Sequence, residues 1–302
     1  MLAAFDIGGS RIRAGASASP ALEQVTVLGD ASTPGADFAA FVAVLAGFVE
    51  GRGARGVAIS IAGCVDPETG LLKCANIPCV DGREIAAELA RALGVPVWVF
   101  NDADCFALAE AGSGAAVGHR TVFGIILGTG VGGGLVIDGR IVTGAGGFAG
   151  EWGHGPVLNR LPLGRDVPHF ACGCGQMGCV DTIGGARGLE RLHRHLSGQD
   201  LDSIALLQAW QAGDAAAAET LEVWLELVAG PLAMVLNVVG ASIVPVGGGL
   251  ANEPALVAAL DAAVRARVLR HSAVPLLVPA AHKQEPGLIG AVAVGWQGLA
   301  DG

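Results

Sequence analysis

Two stretches in different halves of the chain follow one plan, and that repetition limits the fold more than any other feature. The first is an apolar run ending in an acid, Leu2-Ala-Ala-Phe-Asp6, followed by Gly8-Gly9-Ser10 and the extended run Arg11 to Ala16. The second is Thr121 to Leu127, then Gly128-Thr129-Gly130, then Gly132 to Ile137. Short apolar runs bounded by glycine turns read as buried strands. Further strands are expected over Gln24–Leu28, Gly56–Ile61, Val95–Phe100 and Ser242–Val246. Helical spacing of apolar residues predicts helices over Phe38–Val49, Glu84–Leu93, Ala186–Leu196, Ala215–Val239, Glu253–Leu269 and Gly287–Trp296. Asp138-Gly139 signals a hairpin leading into Arg140 to Thr143. Strands alternating with helices define an α/β protein, here with a glycine hairpin in each of two related lobes.

Composition removes several function classes. Of 302 residues, 52% are hydrophobic, enough to build a core and too many for a disordered chain. The formal charge is 18 − 28 = −10. With Lys73 and Lys283 as the only lysines, there is no footprint for nucleic acid or for an anionic membrane. Met1 to Asp6 lacks the basic start of a signal peptide. The uncharged stretch Leu227 to Ala251 could span a bilayer by length. It contains Gly230-Pro231, Asn237 and Gly247-Gly248-Gly249, however, and reads as a buried helix entering a buried strand. Seven cysteines, four of them scattered (Cys64, Cys74, Cys79, Cys105), suit a reducing cytoplasm better than a disulfide framework.

Three clusters bear chemistry. The glycine turns let backbone N–H groups approach an anion, and Ser10 and Thr129 add hydroxyls. Each alone is also what a tight β-turn looks like. Taken with the third glycine cluster, Gly247-Gly248-Gly249, they favour a nucleotide held between lobes. Neither is a Walker loop, because no G-x4-G-K-[ST] occurs. Asp6 is placed to hold magnesium through water, or to cap its turn. Asn101-Asp102-Ala103-Asp104 follows an apolar strand, where α/β folds place ligands. An Asp there can orient a substrate hydroxyl and accept its proton, or Asp102 or Asp104 can be a helix N-cap. Finally, Glu151-Trp-Gly-His154 precedes Cys172-Gly-Cys174-Gly-Gln-Met-Gly-Cys179. One histidine and three thiolates supply a closed tetrahedral zinc site of structural type. The alternative is three free cysteines in a loop.

These clusters, in this order, resemble the ROK family of bacterial sugar kinases and repressors. Asp6-Ile-Gly-Gly-Ser10-Arg11 is similar to its D-[IL]-G-G-T-K start, Leu127-Gly-Thr-Gly130 to its second phosphate motif, and Gly247-Gly-Gly249 to its adenosine motif. Glu151-x-Gly-His154 with Cys172-x-Cys174-Gly-x-x-Gly-Cys179 is similar to its signature. The resemblance implies the actin-like ATPase and sugar kinase (ribonuclease H-like) fold, two lobes with an interlobe cleft. The expected division is a small lobe over 1–116, on which a C-terminal helix over 287–302 packs back, and a large lobe over 117–286 carrying the zinc loop 154–179. It further implies ATP-dependent phosphorylation of a hexose 6-hydroxyl, with Asp102 as catalytic base. Gly63, Asn76, Asn101, Asp102, Glu151, His154 and Asp181 are the implied sugar-binding residues. Asp6, Gly8, Gly9, Ser10, Arg11, Gly128, Thr129, Gly130, Gly247, Gly248 and Gly249 would bind MgATP. His154, Cys172, Cys174 and Cys179 would hold zinc.

Several residues depart from the family pattern: Ser10 for Thr, Arg11 for Lys, Ala62 for Pro, Asp104 for Asn, and Asp181 for Glu. Pro245 interrupts the strand before the adenosine glycines. None of these removes the base, the magnesium-side Asp6 or a zinc ligand, so an active enzyme is expected. Local likeness favours N-acetyl-D-glucosamine as substrate, with fructose, mannose or glucose as alternatives of the same family. A catalytically silent sugar-binding regulator is the alternative of another class. A transcription factor is disfavoured, because Asp6 begins the first motif with no helix-turn-helix ahead of it and the charge is wrong for DNA. The expected protein is a cytoplasmic homodimer that binds small molecules only.

Overall fold

The computed structural model describes residues 1–301. In chain order the strands are β1 (Leu2–Ile7), β2 (Arg11–Ser17), β3 (Thr26–Ser32), β4 (Gly56–Ile61), β5 (Cys64–Val65), β6 (Leu72–Lys73), β7 (Val97–Asn101), β8 (Thr121–Leu127), β9 (Val131–Ile137), β10 (Arg140–Ile141), β11 (Val244–Gly247) and β12 (Leu277–Pro279). The helices are α1 (Phe38–Val49), α2 (Ile85–Leu93), α3 (Asp102–Ser113), α4 (Asp181–Gly184), α5 (Ala186–Ser197), α6 (Ser203–Gln211), α7 (Ala215–Val239), α8 (Pro254–Arg265) and α9 (Pro286–Asp301). They fall into two compact units. The first comprises Met1–Gly118, Gly134–Ala149 and the chain from His282 onward, and the second His119–Gly133 and Gly150–Ala281.

The first unit is built on a sheet ordered β3-β2-β1-β4-β7. Strands β1, β2 and β3 are antiparallel, and β1, β4 and β7 run parallel. Alternation along β1 divides its side chains between two cores, as the pleat requires. Ala3, Phe5 and Ile7 face Phe41 and Leu45 of α1 and Leu89 of α2. Leu2 and Ala4 face Leu288, Ala291 and Val292 of α9. Helix α9 comes so close to α3 that a Cβ on Gly290 would overlap the Cys105 carbonyl. The hairpin at Asp138-Gly139 forms as its sequence predicts. Both residues have positive φ, 51° and 74°, the signature of a type I′ turn.

In the second unit β8, β11 and β12 lie side by side in that order and run parallel. Pro245 does not end its strand, contrary to the reading that it interrupts it. Val244 N–H donates to Leu276 and Val246 C=O accepts from Ala280, so the even residues of β11 pair towards β12. The N–H that Pro245 lacks therefore faces β8. There the ladder has a gap between the Val122–Ile243 bridge and the Val246–Ile125 pair. A proline in a central strand is tolerated because its missing donor falls where no ladder bond is made. Helix α7 starts at the Asp214 cap and ends at Gly240, φ 67°. Among the described residues it is the one helix long and apolar enough to cross a membrane. Its inner face is buried in this unit, and Trp224 Nε1–H donates to the Ile183 carbonyl at 3.1 Å.

Some element boundaries differ from expectation. The third strand begins at Thr26 after a 3-10 turn over Leu22–Gln24, and α8 stops at Arg265. Strand β10 has two residues and not four. The β5–β6 hairpin and β12, with strands of two and three residues, are too short for the sequence to announce, and α6 is not among the expected helices.

Candidate active site

In the first unit the opening glycine turn closes when Gly8 N–H donates to Arg11 C=O at 2.9 Å. It is fastened from outside by Thr33, whose Oγ1 donates to Gly8 C=O at 2.7 Å and whose N–H donates to Ser10 C=O at 3.1 Å. Asn76 stands over the turn, since a Cβ on Gly9 would lie 3.2 Å from the Asn76 carbonyl oxygen. The Arg11 guanidinium pairs with Asp30 of β3 at 3.0 Å. Asp6, just before the turn, is not the turn cap that its position also allowed. Its Oδ1 accepts from Ser60 Oγ at 2.7 Å, and Gly287 at the start of α9 leaves room for the carboxylate where a Cβ would collide. Burial raises the Asp6 pKa above the ordinary 3.8, opposed by the Ser60 hydrogen bond and reinforced by nearby Glu285.

At the carboxyl end of β7, Asn101 caps α3, its Oδ1 accepting from Ala103 N–H at 2.8 Å and from Asp104 N–H at 3.4 Å. The cap is thus neither of the two aspartates suggested by the sequence. Asp102 occupies the first helical position, where its Oδ1 also accepts from Ala103 N–H at 2.9 Å, and Asp104 is buried in the first turn. Asn101 Nδ2 donates to the Gly63 carbonyl at 3.2 Å, which brings these two expected sugar residues together. Gly63 must lack a side chain, because a Cβ would stand 2.7 Å from the Lys73 carbonyl. Beside Asn101 lies a cavity of about 150 Å³ lined by Val65, Pro67, Phe100, Asp104 and Thr143 among others.

In the second unit the Gly128-Thr129-Gly130 turn is gripped from three sides. Ala186 N–H, at the start of α5, donates to Gly128 C=O at 2.8 Å, and a Cβ on Gly185 would come within 2.6 Å of Thr129 O. Gly248, φ 87°, lies directly on Leu127 and Gly128, so the Gly247–Gly249 cluster meets this turn. Next to them a cavity of about 380 Å³ is lined by Ala186, Ser203, Ile204, Leu207, Gln208, Gly249, Leu250, Asn252 and Glu253. Its α6 side chains were invisible to motif reading. After the turn, Gly133 makes room for Trp152, whose ring a Cβ there would strike at 2.6 Å.

His154, Cys172, Cys174 and Cys179 converge, with their four candidate ligand atoms within 4.8 Å of one another. A tetrahedral zinc with bonds of about 2.3 Å to sulfur and 2.05 Å to nitrogen requires S···S near 3.75 Å and S···N near 3.55 Å. Cys174 Sγ and Cys179 Sγ are 3.7 Å apart, and Cys172 Sγ lies 3.5 Å from His154 Nδ1. The donor set fits the ion. Backbone hydrogen bonding from Gln176 holds the Cys174 thiol down at about 7, whereas burial pushes Cys172 up to about 12. The other His154 nitrogen, Nε2, is 3.6 Å from Glu151 Oε2. A carboxylate behind a ligating imidazole fixes its tautomer and orientation. Asp181 lies beside this cluster, with Oδ2 3.7 Å from Cys172 Sγ, while its Oδ1 accepts from Val131 N–H at 2.8 Å.

The ROK family model matches residues 2–297. The chain is 36% identical over 294 residues to the N-acetyl-D-glucosamine kinase of Photobacterium profundum, covering 95% of this chain and 96% of that one. It is 36% identical over 269 residues to the N-acetylgalactosamine kinase AgaK of a Shewanella species, covering 87% of each. Among solved structures, the ROK hexokinase of Thermus thermophilus superimposes with a TM-score of 0.82 at 30% identity, covering 100% of this chain and 99% of that one.

Proposed function

The chain belongs to the ROK family, and on that premise we propose that it transfers the γ-phosphoryl group of ATP to the 6-hydroxyl of a hexose, N-acetyl-D-glucosamine before the others. The observation that carries this reading is Asp102. It stands at the carboxyl end of β7 as the first residue of α3, directly after Asn101, which caps that helix and is bonded to Gly63. Phosphoryl transfer passes through a loose transition state, so catalysis is mainly alignment and charge stabilisation. Asp102 accepts the proton of the 6-hydroxyl as the new O–P bond forms and the bond to ADP breaks. Asn101, held by Gly63, and Asn76, Glu151 and His154 hydrogen-bond the other hydroxyls and fix which one reaches Asp102.

On the nucleotide side, backbone N–H groups of the turns at 8–10 and 128–130 receive the phosphates. The cavity bounded by Gly249, Leu207 and Gln208 has the size and apolar walls for adenosine. Asp6 would hold magnesium through water, and the ion when bound neutralises charge on the transferring phosphates. His154, Cys172, Cys174 and Cys179 would hold a structural zinc that pins the Glu151–His154 segment. A homodimer in the cytoplasm is the setting proposed.

The test is ADP release by tag-free protein with N-acetylglucosamine, N-acetylgalactosamine, N-acetylmannosamine, glucose, fructose and mannose. The highest kcat/KM is expected with N-acetylglucosamine. Turnover of none of these sugars, in protein that binds them, would refute the kinase reading.

A further inference from the structure

Asp181, two residues after the last cysteine of the cluster, is tied through one carboxylate oxygen to the backbone beside the second glycine turn. Its Oδ1 accepts the Val131 N–H, the first backbone donor after the Gly128-Thr129-Gly130 turn, at 2.8 Å. The same oxygen fills the space where a Cβ on Gly130 would be, so turn and carboxylate interlock. Asp181 is itself held at both ends. Its N–H donates to Gly153 C=O at 2.9 Å, inside the Glu151–His154 segment, and it opens α4, whose continuation delivers the Gly185 and Ala186 contacts to the turn.

We propose that Asp181 is a positioning residue for the nucleotide: through Oδ1 it anchors the Gly128–Gly130 turn in the shape that receives phosphate. A charge-assisted hydrogen bond to backbone fixes the direction of the preceding peptide planes, and the value of a phosphate nest lies in that direction. This rests on the kinase reading above. It assigns the residue to the donor side of the reaction.

Calorimetric titration with a non-hydrolysable ATP analogue plus magnesium, and separately with N-acetylglucosamine, tests it on the full chain. Asp181→Ala is expected to weaken nucleotide binding about tenfold or more, the range for losing a hydrogen bond to a charged group. Sugar affinity and zinc content should stay within twofold of wild type. Asp181→Asn, whose amide oxygen can still accept from Val131, should restore nucleotide affinity to within about threefold of wild type. Unchanged nucleotide affinity in Asp181→Ala, a loss confined to sugar, or no rescue by Asp181→Asn overturns the proposal.

Should Asp181→Ala not fold, Asp181→Glu decides. The extra methylene displaces the carboxylate from Val131, so nucleotide binding should fall with sugar unchanged. Tighter sugar with unchanged nucleotide again overturns the proposal. Wild-type protein that bound no nucleotide would sink the kinase reading and this one with it, whereas failure of the variants alone sinks only this one.

Discussion

Asp102→Asn separates chemistry from folding better than any other single change. The substitution keeps the side chain's shape and an oxygen that can accept the Ala103 N–H, which Asp102 Oδ1 now does at 2.9 Å. The cap of α3 is untouched, because it is supplied by Asn101. What is lost structurally is one negative charge at a helix N-terminus, worth about 0.3–1 kcal/mol. For a domain of this size that lowers Tm by no more than about 4 °C. What is lost chemically is the proton acceptor, worth about 10²- to 10⁴-fold in turnover, or roughly 2.7–5.5 kcal/mol of barrier. The chemical effect exceeds the structural one severalfold, so the two can be read apart. Coupled ADP release gives kcat and the sugar KM, and a thermal melt gives the structural cost. Neighbouring Asn101→Ala should behave in the opposite way. It removes the cap and the 3.2 Å bond to Gly63, costs about 1 kcal/mol of stability and raises the sugar KM. A kcat for Asp102→Asn within tenfold of wild type would refute the base assignment.

Metal analysis of tag-free protein should find about one zinc per chain, lost in Cys179→Ser together with several degrees of Tm; fully active protein without metal would contradict the site. Asp6→Asn should abolish magnesium-dependent turnover yet stabilise the fold in a pH-dependent way. Because burial raises the Asp6 pKa, the folded state holds its proton more tightly than the unfolded chain. That protonated carboxyl favours folding at low pH, and the advantage is lost as pH rises from the unfolded value through the folded one. The variant should therefore match wild type near pH 4 and melt above it at pH 8, and melts showing the reverse order would dispose of the burial argument.

What could be read in advance was whatever imposes a residue type at a fixed spacing. A tetrahedral ion needs particular donors, and the four candidate side chains, His154, Cys172, Cys174 and Cys179, come together. Backbone that meets other backbone needs glycine, as at Gly248 on Leu127 and Gly128. Pleated strands need alternation, and β1 divides its side chains accordingly. The unread residues act through hydroxyls and amides brought from elsewhere in the chain. Ser60 reaches Asp6 only through the β1–β4 pairing, and Thr33 reaches Gly8 only because β3 returns beside β2. Ser203 and Gln208 line a cavity defined by the packing of α6. A serine or glutamine in a sequence carries no signal for such contacts, because the same residue types fill any exposed helix or turn. Glycine is ambiguous for the opposite reason. Gly128 and Gly133 lie in one run, yet one belongs to the turn and the other makes room for Trp152.

The departures from the family pattern can be weighed on the same physical grounds. Ala62, where a proline is usual, retains an N–H that donates to Ile7 C=O at 3.4 Å, and its carbonyl accepts from Cys74 Sγ at 3.3 Å. The chain direction there is held by hydrogen bonds where a ring would otherwise hold it. Asp104 lies in the first turn of α3, where a carboxylate interacts favourably with the helix dipole. Pro245 lacks a donor on the one side of β11 where the ladder is already open. Each change falls where local backbone geometry absorbs it, and none alters Asp102, Asp6, His154 or the three clustered cysteines. Asp181 differs from these three, because one of its carboxylate oxygens accepts the Val131 N–H beside the Gly128–Gly130 turn and the other lies 3.7 Å from Cys172 Sγ. Relatives matched over nearly the whole chain are N-acetyl-D-glucosamine kinases, and with Asp102, Asp6 and the histidine–cysteine cluster all retained, that favours catalysis over regulation for this chain.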